Sequence, residues 1–175
     1  MDTSWVDAAK KTVPAKRLTF CDLSKGEHKV RLFGPVLKTY VHFVPVDGKT
    51  KMFILPYKDE DLLVKQNIRA KYFCFALDVF TNTLHYARFG ESLMMELRKL
   101  ARHSGIFIDD LIDSSDLLVV PYKSALYGYL EYNVKAFGKT VELTDEQMKL
   151  ISTYDLGQHT NWAEYLDYCC SLQLK

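Results

Sequence analysis

The stretch that most constrains the fold runs from His28 to Val46, where apolar and polar residues alternate. Val30 and Leu32 take the apolar positions in its first half, and a similar alternation passes through Val41 in its second half. A period of two places successive side chains on opposite faces of a strand, so one face can be buried while the other meets solvent. The Gly34-Pro35 pair predicts a turn. We therefore expect two strands joined at this pair.

The solvent face of these two strands is predicted to carry cations next to aromatic rings. Its members would be Lys29, Arg31, Phe33, Tyr40 and His42. A single nucleic-acid strand is bound by cations that neutralise its phosphates and by flat rings that stack on its bases. The stretch therefore predicts an oligonucleotide-binding β-barrel, with single-stranded DNA as its ligand.

Later segments predict further strands. Residues 71–80 alternate most regularly, and Thr81-Asn82 predicts a hairpin turn into a strand over 83–89. Residues 117–122 and 127–137 are also predicted as strands. The count is about five main strands, as in a small OB-like barrel.

Three segments predict helices. Residues 91–103 place Leu93, Leu97 and Leu100 on one stripe, which is typical of an amphipathic helix packed on a sheet. Thr144 followed by Gln147 matches a capping box at the start of a second helix. Residues 161–172 predict a last helix.

The expected fold class is mainly β with α, namely a five-stranded OB-like barrel with an amphipathic helix and C-terminal helices. Residues 1–17 are expected to form a polar basic arm and residues 18–140 an OB-fold nucleic-acid-binding domain with an insertion at 47–70. Residues 141–175 are expected to form a C-terminal helical extension. A chain of 175 residues suits one such domain with an appendage.

Charge is distributed unevenly along the chain. Residues 1–90 contain 15 Lys and Arg against 9 Asp and Glu, whereas residues 91–175 contain 8 against 13. A basic half that holds most of the predicted strands is compatible with a polyanionic ligand, although such a split also arises by chance.

Neither a membrane span nor an export signal is expected. No apolar run approaches the roughly 20 residues that a spanning helix needs, and residues 1–17 lack the apolar core of a signal peptide. We therefore expect a cytoplasmic protein.

Its cysteines, Cys21, Cys74, Cys169 and Cys170, form no C-x-x-C pair, so reduced thiols are expected and a zinc site is not.

Several short segments resemble the OB-fold single-stranded DNA-binding proteins of tailed bacteriophages. They are H-K-V-R-L-F-G-P at 28–35, the His-bearing strand at 40–44, the strand at 71–78, R-F-G-E-S-L at 88–93, the tyrosine-rich strand at 127–134, and L-T-D-E-Q near 143 followed by Asp155-Leu156. The resemblance implies sequence-tolerant binding and protection of single-stranded DNA in phage DNA replication, recombination or repair. It also implies the cytoplasm of a host cell.

Two family features differ here. Many members carry a zinc knuckle of Cys and His after the second strand, whereas residues 47–70 contain neither residue, so the resemblance is to zinc-free members and implies no cofactor. Many members also end in an acidic tail that recruits replication or recombination proteins. Residues 141–175 contain 2 Lys and Arg against 6 Asp and Glu, but their pattern is helical.

The candidate nucleic-acid-binding residues fall into two chemical groups. Phosphate contacts are expected from Lys29, Arg31, Arg69, Lys71 and Arg88. Base stacking is expected from Phe33, Tyr40, Tyr72, Tyr86, Tyr127 and Tyr129, and His42 is a candidate hydrogen-bond donor to a base or phosphate. Each of these residues also has a structural alternative, because cations are common on any surface and tyrosines at the rim of any β-core.

Enzymatic activity is not expected. Asp109, Asp110, Asp113 and Asp116 would suit a divalent-metal nuclease, but carboxylates confined to one segment more often belong to a solvated turn. The sequence has neither a G-x-S-x-G motif nor a phosphate-cradling glycine loop. Two alternatives to DNA binding remain open: an OB-like protein–protein interaction module, and a single-stranded RNA-binding protein.

Overall fold

The computed structural model describes residues 18–56 and 68–173. The predicted basic arm at 1–17 and residues 57–67 of the predicted insertion lie outside these ranges. Seven strands are present in the described ranges: β1 (Thr19–Cys21), β2 (His28–Val46), β3 (Lys49–Leu55), β4 (Ile68–Asp78), β5 (Thr83–Gly90), β6 (Ser115–Lys123) and β7 (Leu130–Gly138). The helices are α1 (Glu91–Ser104), α2 (Ile108–Ser114), α3 (Asp145–Thr153), a 3-10 helix (Leu156–His159) and α4 (Trp162–Gln173).

The strands form one mixed sheet in the order β1-β5-β4-β2-β6-β7, and β3 pairs with the far end of β2. Only the β1–β5 pair is parallel. The mainly β class with helices is therefore confirmed, whereas the predicted count of five strands is wrong. Within the described ranges no ladder joins β1 to β7, so the sheet is open rather than a closed barrel. Among the described helices, none combines the length and apolar character needed to cross a membrane.

The predicted turn at Gly34-Pro35 is wrong, because His28–Val46 is one continuous strand of 19 residues. The ladder with β4 shifts between Phe33, which pairs with Phe75, and Leu37, which pairs with Phe73. Three residues of β2 thus oppose one residue of β4 at a β-bulge. Proline donates no backbone hydrogen bond, so it is tolerated at such a bulge. The bulge bends β2, whose first part pairs with β6 and whose last part pairs with β3.

The bulge also decides which residues of β2 share a face. Phe33 and Leu37 are four positions apart and face the same side, so odd-numbered residues keep to one side along the whole strand. Tyr40 and His42 therefore lie on the side opposite to Arg31 and Phe33. The prediction of one solvent face that carries all of them is wrong.

Helix α1 covers the inner face of the sheet. Leu93, Met94 and Leu97 are buried in the main core, against inner-face residues such as Leu32 and Cys74. Full burial of a leucine side chain stabilises the fold by about 1.5–3 kcal/mol. The helix ends at Gly105, whose φ of 68° is left-handed and whose N–H bonds back to the last turn. The predicted amphipathic helix is confirmed.

The C-terminal segment covers much of the outer face. The capping box of Thr144 and Gln147 is present at the start of α3, which confirms the predicted helix start. Leu156 packs with Phe75 and Leu84 of the sheet. Tyr165 of α4 packs against Phe53 near the β2–β3 end. The C-terminal segment therefore contributes Leu156 and Tyr165 to the buried core.

The acidic segment predicted as a solvated turn instead contains α2 and the start of β6. Asp116 is buried there and accepts a hydrogen bond from Nε of the buried Arg31 at 2.7 Å. Its second carboxylate oxygen accepts bonds from the N–H and the hydroxyl of Thr140, at 2.9 and 2.7 Å. Arg31 was predicted to contact phosphate from an exposed face, and that placement is wrong because the residue is 1% exposed.

These contacts also set the titration of Asp116. Burial alone would raise the pKa of this carboxyl, but the hydrogen bonds from Arg31 and Thr140 hold its pKa below the usual value. A carboxyl whose pKa is lower in the folded state stabilises the fold at pH values above its unfolded pKa. That stabilisation is lost as the pH falls through the folded pKa.

We predict that Asp116→Asn lowers the free energy of unfolding by about 3–5 kcal/mol, because it leaves the Arg31 charge buried without its partner. Urea unfolding at pH 7 measures this loss. The difference between the wild type and the variant should shrink as the pH falls below the unfolded pKa of aspartate, near 3.9. Asp110→Asn, at an exposed position of α2, is the matched control. Equal losses in the two variants would refute the structural role of the buried pair.

Candidate nucleic-acid interface

Three cations project from the same outer face of two neighbouring strands. Arg69 and Lys71 are two positions apart on β4, and Lys71 pairs with Gly90 of β5. Arg88 of β5 pairs with Phe73 and so lies diagonally across from Lys71. Diagonal neighbours in an antiparallel pair are about 7–8 Å apart, which long side chains readily bridge. The register therefore gathers Arg69, Lys71 and Arg88 into one cationic cluster.

Gly90 makes room for the central cation of this cluster. A Cβ added at Gly90 would stand 3.2 Å from Nζ of Lys71, so the ammonium group lies directly over the glycine. Burial lowers the pKa of Lys71, and the charges of Arg88 and Arg69 lower it further, whereas Asp22 raises it. None of the three cations forms an ion pair with another described residue. The cluster therefore holds positive charge that an anionic ligand would neutralise.

Aromatic rings flank the cationic cluster. Phe20 of β1 pairs with Tyr86 of β5, and their ring centroids lie 5.4 Å apart. The guanidinium carbon of Arg88 lies 5.4 Å from the centroid of Phe20. The ring of Phe20 is also accessible from solvent, because this residue is 40% exposed. A base can therefore approach a ring that adjoins a cation, which is the arrangement that single-strand binding uses.

The 3-10 helix adds His159 to this row of rings. Its ring stacks on Tyr86 with centroids 4.1 Å apart and lies nearly parallel to Phe73. Nε2 of His159 is 2.9 Å from the hydroxyl of Tyr154. Burial lowers the pKa of His159; Asp155 raises it and Arg88 lowers it further. The ring is therefore mainly neutral at pH 7 and serves as a flat stacking partner.

Two adjoining cavities lie beside the cationic cluster and the aromatic rings. The aromatic cavity, of about 150 Å³, is lined by Phe20, Ile54, Phe73, Tyr86, Arg88 and His159. The basic cavity, of about 640 Å³, is lined by Phe20, Asp22, Ser24, Arg69, Lys71, Arg88, Phe89, Gly90, Ser92, Tyr129, Leu130 and Tyr132. Phe20 and Arg88 line both cavities. Residues that follow β1 and residues near the start of β7 meet in the basic cavity, so the curled sheet brings its two edge regions together here.

Five of the predicted site residues come together at these cavities: Arg69, Lys71, Tyr86, Arg88 and Tyr129. Tyr127 stacks on Tyr129 with centroids 5.3 Å apart and planes inclined by 12°. Both tyrosines are exposed, at 68% and 53%. The turn before β7 therefore places a pair of exposed rings at the rim of the basic cavity.

Three predicted residues lie elsewhere. Nζ of Lys29 lies 5.9 Å from the ring centroid of Phe80 and 5.4 Å from that of Phe137, so it belongs to a different surface. Phe33 is half-buried in the cluster that the C-terminal segment covers. Tyr40 is half-buried beside the β2–β3 end of the sheet.

His42 was predicted on the exposed face, and that placement is wrong because its side chain is buried on the inner side. Tyr72, a predicted base-stacking residue, is also buried on that side. Nδ1 of His42 is 2.9 Å from the hydroxyl of Tyr165. The hydroxyl of Tyr72 donates a hydrogen bond to Glu91 at 2.7 Å. Burial raises the pKa of Tyr72, and the bond to Glu91 raises it further. These contacts are interior and structural.

Phe20 and His159 were not predicted as site residues. Phe20 lies in a strand of three residues, too short to show a period. His159 reaches the rings only because the C-terminal segment folds back over the sheet.

Among the described residues, no group of three or more His, Cys, Asp or Glu is arranged to hold a metal ion.

We predict that the pKa of His159 in the folded protein lies below the usual histidine value of about 6.5. Because its folded pKa is lowered, its contribution to stability is present above the unfolded pKa and is lost as the pH falls through the folded pKa. Nuclear magnetic resonance of the imidazole Cε1–H signal measures the titration. Arg88→Gln should raise this pKa, since it removes a nearby positive charge. A pKa of 6.5 or higher in the wild type would rule out the buried, stacked position.

Comparison of the chain with models of known protein families, with curated proteins and with solved structures found no match.

Proposed function

We propose that this protein binds single-stranded nucleic acid, with single-stranded DNA as its main ligand, at the basic and aromatic cavities. The observation that carries the proposal is the cationic cluster of Arg69, Lys71 and Arg88 beside the exposed ring of Phe20. Phosphate neutralisation supplies most of the affinity for a polynucleotide, and stacking favours unpaired bases over a duplex.

Tolerance of base sequence follows from the same chemistry. The ring of Phe20 and the exposed pair of Tyr127 and Tyr129 offer π-faces, and every base can stack on such a face. Arg69, Lys71 and Arg88 meet phosphates, which carry no sequence information. We therefore propose a non-enzymatic binding role in DNA replication, recombination or repair, in the cytoplasm of a host cell, as the resemblance to phage proteins implies.

The relationship to the OB fold is also a proposal. It is supported by the short segments of sequence resemblance and by the curl that brings residues near β1 and β7 to one cavity. The open sheet of seven strands differs from a closed five-stranded barrel. An OB-like sheet that has gained the β2–β3 hairpin and a packed C-terminal segment would account for both the resemblance and the open sheet.

A protein–protein interaction module is the second candidate function. One observation favours it: Leu126, which is 86% exposed, lies beside the stacked Tyr127 and Tyr129 on the same turn. Aromatic residues are favoured at protein interfaces, whereas a cluster of unpaired cations is not required there. Nucleic-acid binding accounts for both the rings and the cations, and it is therefore the preferred proposal.

We predict that Lys71→Gln combined with Arg88→Gln weakens binding to single-stranded DNA at least about tenfold and lowers the salt dependence. Each lost phosphate contact to a single strand reduces the slope of log K against log salt by about 0.7, so the pair should reduce it by about 1.4. Fluorescence anisotropy with a labelled oligo-dT at two or more salt concentrations measures both quantities.

Lys99→Gln is the matched control, because Lys99 is exposed on α1 and pairs only with Glu96 among the described residues. It removes one positive charge outside the cavity and should leave affinity nearly unchanged. A duplex of the same length should bind the wild type more weakly than oligo-dT. Absent binding, or equal binding to the single strand and the duplex, would refute the proposed function, whereas a preference for oligo-U over oligo-dT would assign the site to RNA.

A further inference from the structure

We propose that the basic cavity receives the terminal phosphate of a strand, a phosphomonoester, while the adjoining nucleotide lies at the aromatic cavity. This inference rests on the proposed function and assigns a ligand group to the same site. It distinguishes a protein that holds strand ends from one that only coats the interior of a strand.

The balance of charge in the cavity fits a phosphomonoester. Its lining contributes three cations and one carboxylate, that of Asp22. Asp22 is already engaged, because it accepts bonds from the N–H and hydroxyl of Ser24 and lies 3.4 Å from Nζ of Lys25. A phosphodiester inside a strand carries one negative charge, whereas a phosphomonoester carries about −1.5 to −2 at pH 7. The terminal group therefore neutralises the cluster more completely.

The position of the central cation strengthens this preference. Lys71 is half-buried over Gly90, between Arg69 and Arg88, and its lowered pKa reflects burial and the two neighbouring cations. Interactions between charges are stronger where water is partly excluded. A dianion placed beside Lys71 would interact with all three positive charges at once.

The lining of the basic cavity also suits the end of a strand. Phe20 and Arg88 are shared with the aromatic cavity, so a chain can pass from one cavity to the other along this side. The remaining lining includes Asp22 and Ser24 after β1 and Tyr129 before β7. These residues line the basic cavity but not the aromatic one, so in this proposal a strand that enters past Phe20 ends beside them. The aromatic cavity, of about 150 Å³, is comparable in size to a single base.

The test compares three short oligo-dT ligands that differ only at their ends: one with a 5′-phosphate, one with a 3′-phosphate and one with hydroxyls at both ends. Competition against a labelled oligo-dT at pH 7.5 gives each affinity. We expect one of the phosphorylated ligands to bind at least tenfold tighter than the hydroxyl ligand, and which one it is assigns the polarity of the strand. The preference should shrink below about pH 6, where the phosphomonoester takes up its second proton.

Two variants and one control test whether the preference for a terminal phosphate arises in the basic cavity. Lys71→Gln should abolish the preference for a terminal phosphate, whereas Lys99→Gln should retain it. Gly90→Ala keeps every charge but places a methyl group 3.2 Å from the present position of Nζ of Lys71, so the ammonium must shift. At its φ of −94° an alanine is unstrained. This variant should reduce the end preference while it leaves the salt dependence unchanged.

The outcomes separate the two proposals. Equal binding of all three ligands, with salt-dependent affinity for oligo-dT, would overturn the end-binding inference and leave the proposed function standing. An end preference that survives Lys71→Gln would overturn the assignment to this cavity. Binding of none of the three ligands would overturn both proposals.

Discussion

The continuous, bulged strand β2 is the constraint on which the rest of the structure depends. Across its 19 residues it pairs with β6, β4 and β3, so it links both halves of the sheet. A straight strand would hold these partners in a flat array, whereas a bulge adds bend and twist. The resulting curl brings the residues that follow β1 near the start of β7, although five other strands separate them in sequence. The basic cavity exists because of that curl.

The two faces of the sheet are covered by different parts of the chain. Helix α1 packs on the inner face, α3 and the 3-10 helix cover part of the outer face, and α4 packs on the inner side at the β2–β3 end. The outer-face positions of Arg69, Lys71 and Arg88 remain beside a cavity, next to the half-exposed Phe20. Cations without carboxylate partners repel one another and lower stability. Their grouping at an open cavity is therefore better explained by an anionic ligand than by the needs of folding.

Local patterns in the sequence predicted most elements but not the arrangement that forms the site. The period of α1, the capping box of α3 and the hairpin of β4 and β5 are local features, and each was confirmed. Gly34-Pro35 was misread because the pair is compatible with both a turn and a bulge, and only pairing with β4 decides between them. That single error assigned residues from both faces of β2 to one solvent-exposed face.

The candidate site shows the same limit. Lys71 and Arg88 were predicted on two strands that a short hairpin joins, whereas Arg69 was predicted at the end of the insertion that precedes them. Arg31 has the same alternation, but its burial depends on Asp116, which is 85 positions away in the sequence. The roles of Phe20 and His159 likewise depend on contacts between distant segments. Period and composition identify faces, whereas only the tertiary fold shows which face is covered.

The most direct test of the account is to map where a short single strand touches the protein. Backbone and side-chain resonances can be followed during titration with an oligo-dT of about eight nucleotides. We expect the largest shifts at Phe20, Lys71 and Arg88 and at the rim tyrosines, with little change at Lys29 and Phe137 on the separate surface. Shifts centred on Lys29 and Phe137, or spread evenly over the sheet, would contradict the assignment of the ligand site to the basic and aromatic cavities.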